Sequence, residues 1–179
     1  VTTVLITGGS QGSRTLNRAV EQSWPLWDKG TVRLIHQTGA LMFDELAPSF
    51  RACGIEGEIT AFLTDMPRAF GEADIVVSRA GMGAVSEIAA AAKPSILVPF
   101  PAASDQHQLK NAEALEKAGA ARLVLDHELN GARLVDEVTR LTSETGLLEK
   151  MSVAAKAFAR PGAAKRAADV LEEFSIDRS

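Results

Sequence analysis

A single cysteine, Cys53, stands in a chain of 179 residues. One thiol excludes an internal disulfide and a multi-cysteine metal centre, and it suits a reducing compartment. Basic residues are not in excess either: 19 Lys and Arg face 23 Asp and Glu, a net charge of −4. That balance argues against a nucleic-acid partner, which calls for a basic stripe. Long apolar runs are missing. The run Ile96–Ala103 is far shorter than a membrane span and contains prolines. No signal peptide, internal repeat, low-complexity segment or linker is visible. No Asp-x-Asp pair occurs, so the usual carboxylate–metal bridge to a diphosphate is not expected.

What is present is a globular balance, with 46% hydrophobic and 23% charged residues, in a length that suits one domain. The chain opens at Val1 and enters a strand almost at once, which reads as half of a larger protein. Short β-rich runs alternate with helical patterns, the signature of βα units around a parallel sheet. Strands are expected at Thr3–Thr7, Val32–Gln37, Gly57–Ala61, Ile75–Ser78, Ser95–Pro99 and Ala121–Leu125. Helices are expected at Ser13–Trp27, Leu41–Cys53, Met66–Ala73, Ala84–Ala92, Asp105–Ala118, Ala132–Glu144, Leu147–Ala159 and Ala163–Phe174. The last is amphipathic, with Ala164, Ala167, Ala168 and Leu171 on one face. The fold class is therefore α/β, a doubly wound parallel sheet of about six strands.

In such a sheet ligands lie beyond the carboxyl ends of the strands. Three turns converge there. The first, Thr7-Gly8-Gly9-Ser10-Gln11-Gly12-Ser13, has glycines that permit positive φ and close approach of a phosphate. It lacks the lysine of a P-loop. A nicotinamide cofactor calls for an acidic residue at the end of the second strand. That strand ends in His36-Gln37-Thr38, so a dehydrogenase is disfavoured. The other reading of the turn is a tight connection with no ligand.

The second turn, Ser78-Arg79-Ala80-Gly81-Met82-Gly83-Ala84, opens a helix and offers the amides of Gly83 and Ala84 to an anion. Glu87 follows about one turn later. It either accepts two hydrogen bonds from a ribose diol or merely complements the helix dipole. The third turn leads from Pro99-Phe100-Pro101 to Asp105, His107, Gln108 and Asn111. Asp105 reads well as a helix N-cap, whereas His107 and Gln108 suit sugar hydroxyls. In Phe62-Leu63-Thr64-Asp65-Met66 the backbone can pair with a uracil edge, although Phe62 and Met66 alone read as core. His36 reads as a structural histidine and His127 as surface. Trp24, Trp27 and Cys53 read as core or edge packing. Diphosphate plus polyol points to a nucleotide sugar.

The segments GGSQGSRTLN, FLTDM, ADIVVSRAGMGAVSEIAAAAKPSILVPFP and DQHQLKNAEALEKAGAA resemble the C-terminal half of the MurG family. These are bacterial N-acetylglucosaminyltransferases of peptidoglycan synthesis. The resemblance implies a GT-B glycosyltransferase of family 28 type, with residues 1–179 as its Rossmann-like UDP-sugar-binding C-terminal domain. The acceptor-binding N-terminal domain, with the general base, is then absent from this chain, which carries no catalytic residue and is inactive alone. The implied donor is UDP-N-acetylglucosamine, bound without metal or other cofactor. The implied acceptor is the undecaprenyl-linked lipid I, converted to lipid II. By this resemblance Gly9, Ser10, Gln11, Gly12, Gly83 and Ala84 line the diphosphate, Leu63 and Met66 the uracil, and Glu87 the ribose. His107 and Gln108 lie by the sugar, with Arg79 and Asp105 as further candidates. The sequence departs at His107, where some relatives have glutamine. The implied location is cytoplasmic, the full-length enzyme being peripheral on the cytoplasmic face of the inner membrane. Membrane contact is not expected from this domain alone. Alternatives are the donor subunit of another GT-B transferase, such as the dolichol-linked N-acetylglucosaminyltransferase, a non-catalytic UDP-sugar sensor, or a nicotinamide-binding module.

Overall fold

Residues 1–102 and 106–159 are described by a computed structural model. Asp105 and the helix expected at Ala163–Phe174 lie outside the described residues. The strands are β1 (Thr2–Thr7), β2 (Val32–Gln37), β3 (Glu56–Thr60), β4 (Ile75–Ser78), β5 (Ser95–Leu97) and β6 (Ala121–Leu123). The helices are α1 (Arg14–Ser23), α2 (Ala40–Cys53), α3 (Met66–Glu72), α4 (Met82–Ala90), α5 (Gln106–Lys117), α6 (Gly131–Ser143) and α7 (Leu147–Phe158). All strand pairs are parallel, in the order β3-β2-β1-β4-β5-β6. This is the doubly wound sheet expected of the sequence.

Side chains alternate across the pleat, and the two faces carry separate cores. Val4, Ile6, Leu34 and Val77 face α1, α2 and α6 through Leu16, Val20, Leu46, Phe50, Leu134 and Val138. Leu5, Ile35, Val76 and Leu97 face α3, α4 and α5 through Phe70, Val85, Ile88 and Leu115. The central strands are apolar through their middles because both faces are covered.

Several boundaries differ from expectation. The first helix ends at Ser23, and Trp24–Leu26 forms a separate 3-10 turn. Pro25 has no N–H to give and its ring crowds the preceding turn, so the α-helix stops there. β5 and β6 end two residues early, although Val98 N–H still donates to Ser78 C=O (2.9 Å) and Val124 N–H to Leu97 C=O (3.0 Å). α4 begins at Met82, two residues before the expected Ala84. That shift at α4 matters for the site.

Candidate functional site

The strand order reverses between β1 and β4, so their connections leave on opposite faces and open a crevice. Along the carboxyl edge lie, in order, the loop after β3, the end of β2, and the turns after β1, β4 and β5. From β3 to β5 is four strand spacings, roughly 19 Å. The candidate residues thus fall in the order base, diphosphate, sugar.

The two glycine turns are built differently. In the first, Gly12 N–H donates to Gly9 C=O (3.1 Å) and Gly9 N–H to Thr7 Oγ1 (3.1 Å). Ser13 caps α1 by accepting from Leu16 N–H (3.3 Å). Ser13 thus occupies one amide of the α1 start, and the amide of Gly12 is already spent. Ser10 and Gln11, exposed at the tip, have no backbone N–H partner among the described residues. In this turn the exposed donors sit in the loop ahead of the helix. Gly12 has φ +74°, and a Cβ there would overlap the Thr38 carbonyl, so the turn presses directly on the end of β2.

In the second turn, Gly81 is the N-cap of α4 and has no side chain to cap with. Val85 N–H reaches Gly81 C=O (3.0 Å), which leaves the Met82, Gly83 and Ala84 amides without intrahelical acceptors. Gly83 is exposed, and a Cβ on it would meet nothing within 4 Å. This is an open, uncapped helix start beside the switch point. Because α4 begins at Met82, Glu87 is its sixth residue, exposed and past the first turn. The dipole fades within that turn, so dipole complementarity explains Glu87 poorly.

Gln108 and Asn111 lie one turn apart on α5 and grip a single residue, Ala80. Ala80 N–H donates to Gln108 Oε1 (3.2 Å), and Asn111 Nδ2 donates to Ala80 C=O (3.0 Å). Phe100 N–H also donates to Gln108 Oε1 (3.0 Å). The Gln108 carbonyl is thereby committed to two loops, and its NH2 group is what remains for a ligand. His107 is exposed in the first turn of α5. Arg79 spans the crevice floor: it donates to Val98 C=O (3.2 Å), pairs with Asp126, and lies 5.3 Å from the Phe100 ring. Asp126 in turn accepts from Thr15 Oγ1 of α1 (3.2 Å). Arg79 is thus a structural tie between the two turns, its charge already met by a carboxylate.

Leu63 and Met66 are half-buried against the same core as α4, while Phe62 is exposed. The Leu63 N–H is not free. It donates to Gln37 Oε1 (2.8 Å), and the Leu63 carbonyl has no hydrogen-bond partner among the described residues. Gln37, Asn17, Thr38 and Asp126 are the polar groups that sequence reasoning passed over as parts of the site. Their signal was position: each is a polar residue at the carboxyl end of a strand or the first turn of the following element. His36 is buried, as expected of a structural histidine, with Nε2 2.9 Å from Asn17 Oδ1. Burial alone pushes its pKa down to about 3. A cavity of about 690 Å³ opens instead beside β6, α6 and α7, lined by Arg122, Leu141, Leu147 and Met151, and includes none of the candidate residues.

The family model of the glycosyltransferase family 28 C-terminal domain matches residues 3–167. The chain belongs to this family. A relative from Solibacter usitatus, named UDP-N-acetylglucosamine--N-acetylmuramyl-(pentapeptide) pyrophosphoryl-undecaprenol N-acetylglucosamine transferase, is 57% identical over 174 residues. That match covers 96% of this chain and 47% of the relative. A protein of the same name from Anaeromyxobacter sp. is 41% identical over 173 residues, covering 96% of this chain and 45% of its own. The crystal structure of Acinetobacter baumannii MurG superposes with a TM-score of 0.78 at 27% identity, over 96% of this chain and 52% of that one. The chain spans about half the length of the curated relatives it matches. The fold is that of a GT-B C-terminal domain.

Proposed function

We propose that this chain is the donor-binding half of an inverting glycosyltransferase that takes N-acetylglucosamine from UDP-N-acetylglucosamine to an undecaprenyl-linked acceptor, lipid I, giving lipid II. The observation that carries the reading is the uncapped start of α4 beside the exposed Ser10–Gln11 tip, at the switch point of the sheet. Amides at a helix N-terminus with no other acceptor are a natural diphosphate cradle. The names of the 57% and 41% identical relatives supply the sugar and the acceptor.

In such a transfer the acceptor hydroxyl attacks the anomeric carbon, its proton passes to a base, and UDP leaves with the electrons of the broken bond. This chain's share is to hold UDP and stabilise the charge growing on it as it departs. The Ser10, Gln11, Gly83 and Ala84 amides take the diphosphate, with Gly9 and Gly12 shaping the turn. The Leu63 carbonyl and Met66 take uracil, Glu87 the ribose, and the Gln108 NH2 with His107 the sugar. The acceptor domain and its base belong to the other half of the protein, working at the cytoplasmic face of the membrane that holds the acceptor. No helix among the described residues is long and apolar enough to cross a membrane.

Titration calorimetry tests the reading. UDP and UDP-N-acetylglucosamine are expected to bind, with ADP far weaker. Glu87→Ala is expected to weaken UDP binding by about 1.5–3 kcal/mol, the value of a pair of charge-assisted hydrogen bonds. Its folding stability should stay within about 1 kcal/mol, since the side chain is exposed. Equal UDP affinity in the variant and the parent would remove Glu87 from the site.

A further inference from the structure

Gln37 ends β2, the strand between β1 and β3, and its side chain is 4% exposed. In register it lies beside Thr7 on one side and Thr60 on the other. Its side chain reaches both neighbouring loops. Nε2 donates to Gly9 C=O (2.9 Å) and to Thr7 Oγ1 (3.3 Å), while Oε1 accepts from Leu63 N–H (2.8 Å). Two donors on one side and an acceptor on the other is a pattern that only an amide supplies. A glutamate lacks the donors and a lysine lacks the acceptor.

Both ends of this staple are consequential. Gly9 sits at φ +80°, and its carbonyl also receives Gly12 N–H (3.1 Å). Holding that carbonyl inward turns the following Ser10 and Gln11 amides outward. At the other end, committing the Leu63 N–H leaves the Leu63 carbonyl, an acceptor with no partner among the described residues. An acceptor there suits uracil, whose N3 carries a hydrogen, and refuses cytosine, whose N3 does not.

We infer that Gln37 is a positioning residue that couples the base loop to the diphosphate turn and sets the choice of uracil over cytosine by fixing the backbone at Leu63. The inference rests on the UDP-sugar reading and adds to it a residue that touches no ligand. A residue that merely supports the fold would lower the affinity of all nucleotides alike. A coupling residue changes their ratio.

The test compares UDP and CDP by calorimetry on the full 179-residue chain and on its Gln37→Met and Gln37→Ala variants. Methionine keeps the buried volume and removes every hydrogen bond. UDP affinity is expected to fall about tenfold, the equivalent of one to two hydrogen bonds, and the preference for UDP over CDP to shrink severalfold. Hydrogen exchange on the unsubstituted chain reads the same coupling even if the variants do not fold. The Leu63 amide is expected to be protected at least about tenfold relative to a free loop amide, and inorganic pyrophosphate to slow it further. An unchanged UDP to CDP ratio, a gain in UDP affinity, or a Leu63 amide indifferent to pyrophosphate would overturn the inference. Failure of the unsubstituted chain to bind UDP would overturn the functional reading, and this inference with it.

Discussion

Hydrogen bonds, rather than exposed charge, define the individual residues at the carboxyl edge, and His36 shows the consequence. Asn17 Nδ2 donates to Thr38 C=O (2.9 Å), so Asn17 Oδ1 faces the ring and His36 donates to it from Nε2. Nδ1 is left buried without a partner. A second proton there would be an unpaired charge in an apolar interior, which is why the pKa falls to about 3. The unfolded chain still takes up that proton near the ordinary value of about 6.5. The folded state therefore keeps its full stability above about pH 6.5 and loses it as pH falls toward 3, by roughly 1.4 kcal/mol per unit. His36→Gln, which does not titrate, is expected to flatten this slope in melting temperature measured from about pH 7 to 5. Parallel slopes for the variant and the parent would show that other groups carry the acid sensitivity. That His36 is structural was legible from its strand position. The bonding of Gln37, Gln108 and Arg79 was not, because each partner lies on another element or loop, at separations of 8 to 47 residues, and only the folded sheet brings them together.

At the scale of elements, the period-two strands and the glycine punctuation located every strand and seven helices to within a few residues, and these define the fold. The misjudged element was the one that matters to ligand binding. Glycines at 81 and 83 hid the true start of α4, since neither residue signals an N-cap as Ser13, Asp65 and Asn130 do for α1, α3 and α6. The same feature yields a prediction with two opposite signs. Gly83 is helical and faces open space, so Gly83→Ala is expected to raise folding stability by roughly 0.5 kcal/mol through reduced chain entropy. The added methyl group stands where a diphosphate would approach the uncapped amides, and UDP affinity should fall. Thermal melts with and without UDP read both effects from one variant. A variant that is more stable and binds UDP unchanged would move the diphosphate away from α4. The contrast is Gly12, where φ +74° and contact with Thr38 make alanine costly to the fold itself, by at least about 2 kcal/mol.

For the molecule as a whole, the question is what the proposed donor-binding half of a transferase does by itself. A diphosphate brings two or more negative charges to a chain whose own net charge is −4. Among the described residues no group of three or more His, Cys, Asp or Glu could hold a metal ion. In the proposed site that charge is met by oriented amides, whose attraction is local and needs no divalent cation. UDP-N-acetylglucosamine at about a hundred times its dissociation constant is expected to stabilise the chain by about 2.7 kcal/mol. In a domain of this size that raises the melting temperature by about 5–10 °C. The shift should be the same with a chelator and with added magnesium. Loss of the shift on chelation would reject metal-free binding. Transfer is a separate matter, because the reaction also needs a base beside the acceptor hydroxyl, and this chain spans only 47% and 45% of two of its relatives. With donor and lipid acceptor both supplied, the chain should release no UDP above the blank, while the same assay should release it once the acceptor-binding half is added. UDP release by this chain alone would mean that a base lies on its own side of the crevice, with Glu87 and His107 the first groups to substitute.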